Sequence, residues 1–244
     1  MKLGIMQPYF FPYIGYISLI KNTDEFILFD TVQFIKHGWI ERNRILKPGG
    51  EWQYIAVPLV KHSIDTKIMD IKIRNNEDWK NKIISQLSHY KKRAPYYNET
   101  MEVVREALNI ETDNITILNK HILEVVCKYL GFNPIIKIFS EMDLQIEEAT
   151  APDEWALNIC KALGNVDEYW NPPGGIEFFD KSKYDKAGIK LLFQSVNIVP
   201  YVQRIGYFEP GLSIIDVMMF NTKEEINAML DNYEFINVKK RIKQ

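Results

Sequence analysis

Within the first thirty residues of this 244-residue chain, two short apolar runs flank a helical pattern. Leu3 to Met6 stops at Gln7-Pro8, an aromatic and proline-rich turn follows, Tyr13 to Ile20 repeats with helical spacing, and Phe26 to Phe29 stops at Asp30. Two strands joined through a helix pair in parallel, because the crossover returns the chain to its starting end. In such βαβ units, ligand groups collect where the first strand gives way to the helix. The polar residues just past the two strand ends, Gln7 and Asp30 with Gln33, are therefore the first site candidates.

The rest of the chain extends the alternation. Glu51 to Leu59, Ile68 to Ile73, Ile135 to Phe139, Asp167 to Trp170 and Ile189 to Phe193 carry strand patterns, the last read as the final strand of the sheet. Helical spacing covers about 76–92, 101–108 and 115–130, with Asp113 as the N-cap of the third and Gly131 just past its end. A further helix starts from Thr150-Ala151-Pro152-Asp153, with Thr150 as cap, and closes at Gly164. Ser213 and Asp216 read as a capping box for an apolar helix ending near Phe220, and Asn221-Thr222 caps one more. The expected fold is α/β, a Rossmann-like, mainly parallel sheet with a helical insertion at about 76–131 and a C-terminal helical cap. Residues 1–200 would form the core and 201–244 the cap, or the two are a single domain.

Composition narrows the function classes. A formal net charge of -2 gives no global pull toward nucleic acid or anionic lipid. Cys127 and Cys160, the two cysteines, fall on apolar helical patterns and read as core thiols in a reducing compartment. No run reaches the ~20 apolar residues of a membrane span, and the start carries no signal-peptide pattern. The expectation is a cytoplasmic protein. His121 has no partners at metal-ligand spacing, so no metal site is expected.

Three stretches carry chemistry. In FIKHGWIERNRILKPGG, Lys36, Arg42 and Arg44 alternate with Phe34, Trp39 and Ile45, which suits phosphate or a nucleotide base. Arg42 and Arg44 are candidates for phosphate and Asn43 for a base or sugar; the competing reading is a basic solvated loop. Asn171-Pro172-Pro173-Gly174-Gly175 follows a strand, and Asn171, Gly174 and Gly175 could admit a phosphate or sugar close to the main chain, or simply form a tight turn. Lys91-Lys92-Arg93, with Lys80 and Lys82, either meets the carbonyl end of a helix dipole or forms an RNA or pyrophosphate patch with Tyr90, Tyr96 and Tyr97 for stacking. The basic tail Lys239 to Lys243 reads as solvated.

The segments QPYFFPYIGYISLI, FDTVQFIKHGWIERNRI, YKKRAPYY, PPGGIEFFD and FEPGLSIIDVMMFN resemble the motifs of the WbqC-like family, bacterial proteins associated with surface-polysaccharide gene clusters. The resemblance extends over nearly the whole chain. Phe178-Phe179-Asp180 stands where that family has Tyr-Leu-Asp. A second, local resemblance sets Tyr13-Ile14-Gly15-Tyr16 where nucleotidyltransferases and class I aminoacyl-tRNA synthetases carry His-x-Gly-His. There the glycine lets a nucleotide approach the helix start. Tyrosine in both histidine places can donate a hydrogen bond but supplies no positive charge at neutral pH.

Together the resemblances imply a transferase of surface-glycan assembly, moving an acyl or aminoacyl group to the amine of a nucleotide-linked amino sugar. The cosubstrate would be a nucleotide or an activated acyl or aminoacyl donor, delivered on tRNA or an acyl carrier. In this scheme Asp30 is the base, Arg42 and Arg44 hold a pyrophosphate, and Tyr9 or Tyr16 donates to the developing oxyanion, with Gln7, Gly15, Gln33, Lys36, Asn43, Asn171, Gly174 and Gly175 around the substrate. The alternatives are an ATP-dependent nucleotidyltransferase or ligase, and a non-catalytic glycan- or RNA-binding protein.

Overall fold

The computed structural model describes residues 1–236. Strand β1 (Lys2–Met6), helix α1 (Ile14–Asn22) and strand β2 (Glu25–Leu28) form the opening βαβ unit. A hairpin of β3 (Arg42–Leu46) and β4 (Trp52–Ala56) follows, then helices α2 (Trp79–Leu87), α3 (Tyr97–Leu108) and α4 (Ile115–Tyr129). Strand β5 (Ile136–Ile138), helix α5 (Glu154–Leu163), strand β6 (Glu168–Asn171), helix α6 (Lys181–Lys186) and strand β7 (Lys190–Val196) restore the alternation. Helices α7 (Ile214–Phe220) and α8 (Lys223–Asp231) lead into strand β8 (Tyr233–Ile236).

The central sheet has the order β5-β2-β1-β6-β7-β8, parallel except for β8 against β7. The chain winds outward from β1 through β2 to β5, then returns to β6 on the other side of β1. This reversal opens a crevice at the carboxyl ends of β1 and β6, the place where open α/β sheets bind ligands. Alternate residues of β1 serve opposite faces. Leu3 and Ile5 pack with Ile159 and Cys160 of α5, whereas the other face carries α1, α4, α7 and α8 over Phe26 and Leu28.

Gly4 is a close-approach glycine in this strand. It lies opposite Phe26 in the parallel register, and a methyl group there would sit 2.6 Å from the Phe26 ring. Phe26 is fully buried and held edge-on against Tyr16. Gly4→Ala is expected to cost about 2 kcal/mol by overpacking, read as a lower urea midpoint; an unchanged midpoint would show that the ring yields.

Several local expectations are corrected. Ile68 to Ile73 is not a strand: Ile68–Asp70 makes one 3₁₀ turn, and only isolated bridges flank it. The basic block is not a loop throughout, since Arg42–Leu46 pairs antiparallel with Trp52–Ala56. Asn114, not Asp113, caps α4, its side chain accepting from the amides of Thr116 and Ile117. The residue before α5 is Asp153; Thr150 instead donates through its amide and hydroxyl to Glu154. Pro173–Phe178 is wound as 3₁₀ helix rather than open loop. The strand at Ile189 to Phe193 is not the last, because β8 joins its edge and brings the C-terminal segment into the core sheet.

Ser213 does cap α7, accepting from the Ile215 amide, but Asp216 takes no part in a capping box. Its fully buried carboxylate accepts from Tyr90 Oη (2.6 Å), Tyr201 Oη (2.6 Å) and Gln203 Nε2 (2.8 Å). Tyr90 is thereby buried and unavailable for stacking. The Thr222 capping box with Glu225 is present, and Gly131 and Gly164 both end helices with positive φ. Cys127 and Cys160 are free and buried, and burial pushes the Cys160 thiol up to about 12. The basic tail falls outside the described residues.

Candidate functional site: an uncharged cleft at the strand ends

A cavity of about 820 Å³ opens at the carboxyl ends of β1, β2 and β6. Its floor is Ile5, Met6, Phe29 and Tyr169 from the sheet. One wall is the β1–α1 turn, Gln7 to Tyr9, with Trp39 and Ile40; the other is Thr150 to Pro152 with Trp155 and Ala156 of α5, and Asn171 and Phe179 close the β6 side. None of the residues lining the cavity is charged.

The β1–α1 turn is held rigidly from behind. Asn43 Nδ2 donates to the carbonyls of Phe10 (3.2 Å) and Phe11 (2.6 Å), Ser213 Oγ donates to the Phe11 carbonyl, and the Ile214 amide donates to Pro12. Phe11 is left-handed, φ 38°. Trp39 is fastened to the same turn, since the Phe10 amide donates to its carbonyl at 2.9 Å. Tyr9 consequently stacks on Trp39 at 5.8 Å and meets Tyr16 edge-on at 5.4 Å. Across the cleft, Trp155 leans on Phe29 at 5.6 Å. Aromatic plates therefore stand on two sides.

Gln7, Tyr9 and Asn171 also line the cleft, and their side-chain polar atoms have no hydrogen-bond partner among the described residues and are not sealed from solvent. Burial, with the neighbouring Tyr13, holds the Tyr9 phenol well above its ordinary range while the Arg44 charge opposes this. Tyr9 is thus a hydrogen-bond donor at neutral pH and not a base.

The sequence candidates separate into three groups. Gln7, Tyr9 and Asn171 line the cleft together. Tyr16, Gly15, Asn43 and Asp30 are internal. The Tyr16 hydroxyl donates to the Gln7 carbonyl at 2.8 Å, and a side chain on Gly15 would strike the Tyr13 ring, so this glycine makes room for Tyr13. Asp30 is 1% exposed; its carboxylate accepts from the Ser140 amide (3.0 Å) and hydroxyl (2.7 Å), tying the end of β2 to the end of β5. Burial raises its pKa against those two bonds, but it does not line the cleft. The remaining candidates lie outside the lining: Gln33 donates to Ile64, Lys36 is exposed, and Gly174 and Gly175 sit in the 3₁₀ turn after β6.

Arg42 and Arg44 occupy the outer face of the hairpin. Arg42 donates to His37 and Gly38 carbonyls and lies over Tyr54 at 4.1 Å, with the Glu41 carboxylate nearby. Arg44 sits between Trp39 (5.6 Å) and Trp52 (5.3 Å) and donates from Nη2 to Gly211. Among the described residues it has no carboxylate partner. No group of three or more possible metal-ligating side chains occurs among the described residues.

Trp39, Trp155, Thr150 and Phe179 were not singled out as site residues from the sequence. Trp39 was visible only as an aromatic within a basic block, and Trp155 only as one more apolar position of a helix. No short-range pattern announces that two elements more than a hundred residues apart will face each other.

The family model for the WbqC-like protein family matches residues 7–228. The chain belongs to the WbqC-like family. The match takes in the residues that line the cleft from Gln7 to Phe179, leaving out Ile5 and Met6 of its floor. A relative in Mycobacterium tuberculosis, "Uncharacterized protein Rv1507c", is 30% identical over 227 residues, covering 92% of this chain and 95% of that protein. No solved structure matches the chain. None of the helices among the described residues is long and apolar enough to cross a membrane.

Proposed function

We propose that this WbqC-like protein is a transferase of surface-glycan assembly that moves an acyl or aminoacyl group onto the amine of a nucleotide-linked amino sugar, with the pyranose ring lying in the cleft. One observation carries this reading: an uncharged cavity that pairs aromatic plates with unpartnered neutral hydrogen-bonding groups. A pyranose has apolar C–H faces suited to Tyr9, Trp39 and Trp155, and hydroxyls suited to the Gln7 and Asn171 amides. The family's association with surface-polysaccharide clusters supports the same substrate class.

The chemistry differs from a scheme with Asp30 as base. An ammonium ion entering an uncharged, largely apolar cleft loses hydration without gaining a carboxylate, so its pKa falls and the neutral amine is the species bound. That amine attacks the acyl carbonyl, the bond to the donor's leaving group breaks, and the amine proton departs with the leaving group or to water. Tyr9 donates to the oxyanion as it forms.

Trp155→Ala tests the cleft directly. Removing one aromatic wall is expected to weaken amino-sugar nucleotide binding by about tenfold or more, measured by calorimetry, with the fold retained by circular dichroism. Unchanged affinity would place the substrate elsewhere. A mass shift equal to the acyl group on the sugar nucleotide, after incubation with acyl donors, identifies the reaction; saturable binding without any product would leave a glycan-binding protein.

A further inference from the structure

We propose that Arg44, held between Trp39 and Trp52, binds the diphosphate of a nucleoside-diphosphate carrier whose base stacks on the exposed Trp52. The inference rests on the reading above and assigns the residues that hold the carrier's diphosphate and base. Trp39 is common to both places: it lines the cleft, and it carries the Arg44 guanidinium 5.6 Å from its ring centre. A diphosphate joined to a sugar in the cleft would therefore leave past Trp39 and meet this cation first.

Arg44 is placed as a ligand-binding cation rather than as a structural one. A structural arginine normally spends its fork on carboxylates or several carbonyls. Here Nη2 reaches the Gly211 carbonyl at 3.1 Å, Nε is buried without an acceptor, and Nη1 has no partner among the described residues and is not sealed from solvent. Arg42, two residues earlier on the same strand face, differs: it has two carbonyl acceptors and the Glu41 carboxylate in its field. Lys47, at the hairpin end, pairs with Glu51. Of these three hairpin cations, Arg44 is the one with neither a carboxylate partner nor a carboxylate in its field among the described residues.

The surroundings favour a nucleotide over a bare anion. Trp52 is 38% exposed although it lies beside the guanidinium, so part of its ring stays open to solvent, whereas Trp39 already carries both Arg44 and Tyr9. Trp52 stands edge-on to Tyr54 at 5.0 Å, which fixes its plane. Flat, fixed aromatic surface beside an arginine matches a base followed by phosphates.

The test is calorimetric titration of the full chain with inorganic pyrophosphate, five nucleoside diphosphates (UDP, ADP, GDP, CDP, dTDP) and a polyprenyl diphosphate. At least one nucleoside diphosphate should bind more tightly than pyrophosphate and than the lipid, with affinity falling as salt rises. Arg44→Gln should weaken that ligand by about tenfold or more. Arg44→Lys, which keeps charge without the planar fork, should recover part of it. Trp52→Ala should bring the nucleoside diphosphate down to the level of pyrophosphate. Absence of nucleoside-diphosphate binding to the wild-type chain overturns the proposal, as does Arg44→Gln binding like wild type or a preference for the lipid diphosphate. Binding of a free amino sugar, lost in Trp155→Ala but not in Arg44→Gln, is scored separately. It distinguishes failure of the carrier site from failure of the cleft.

Discussion

Asp216→Ala should destabilise the protein by about 3 to 4 kcal/mol, enough to consume much of the stability of an ordinary domain. The carboxylate is fully buried and receives three hydrogen bonds, from Tyr90, Tyr201 and Gln203. Through them it joins α7 to the end of the α2 region and to the segment before α7. Tyr90 passes the chain of bonds on, accepting from the Leu46 amide of β3 at 2.8 Å. Truncation leaves the Tyr90 and Tyr201 hydroxyls without their acceptor, while Gln203 keeps its bonds to Glu209. Urea unfolding is the measurement, and a midpoint close to wild type would mean that water fills the space.

The same residue sets a pH dependence. Burial raises the Asp216 pKa above its ordinary 3.8, and the hydrogen bonds from Tyr201, Tyr90 and Gln203 oppose this without reversing it. The native state therefore holds this proton more tightly than the unfolded chain does. Its contribution to stability is complete below the unfolded carboxylate pKa and is lost as pH rises through the higher native value. Asp216→Asn carries no charge and escapes that loss. The stability gap between wild type and Asp216→Asn should consequently narrow as pH rises from below 4 toward neutrality; a constant gap would show that the carboxylate is as well solvated folded as unfolded.

Tyr9→Phe should lower kcat by about 100-fold while leaving the KM for the sugar nucleotide within about threefold. The ring would still stack on Trp39 and meet Tyr16, so the cleft keeps its shape and only the phenol is lost. A matching rise in KM with kcat unchanged would make the hydroxyl a binding group and remove it from the chemistry.

The βαβ unit and the parallel sheet were legible because apolar runs bounded by Gln7-Pro8 and Asp30 have no other economical arrangement. Cap residues were legible where the side chain bonds its own helix, as with Thr222, and misleading where a long-range partner competes. Asp216 shows the second case: its spacing from Ser213 fits a capping box, but Tyr90, 126 residues away in sequence, claims its carboxylate. Asp30 is similar. It stands past a strand end as expected, yet Ser140, just past the end of the neighbouring strand β5, turns it into a tie between strands.

In the site, Gln7, Tyr9 and Asn171 could be chosen from strand ends alone, whereas the opposite wall could not. Trp155 reaches the cleft only because the chain crosses back to β6 on the other side of β1, a fact of topology rather than of local pattern. The hairpin had the same difficulty. Arg42 and Arg44 look equivalent in sequence, and only the position of Glu41 and of the two tryptophans separates them.

The most direct measurement is a crystal structure of the full chain with a nucleotide-linked amino sugar at saturating concentration. The account predicts density for the pyranose between Tyr9, Trp39 and Trp155, within hydrogen-bond reach of Gln7 or Asn171. A sugar bound outside that cleft, or a cleft that stays empty while the ligand binds in solution, would contradict it.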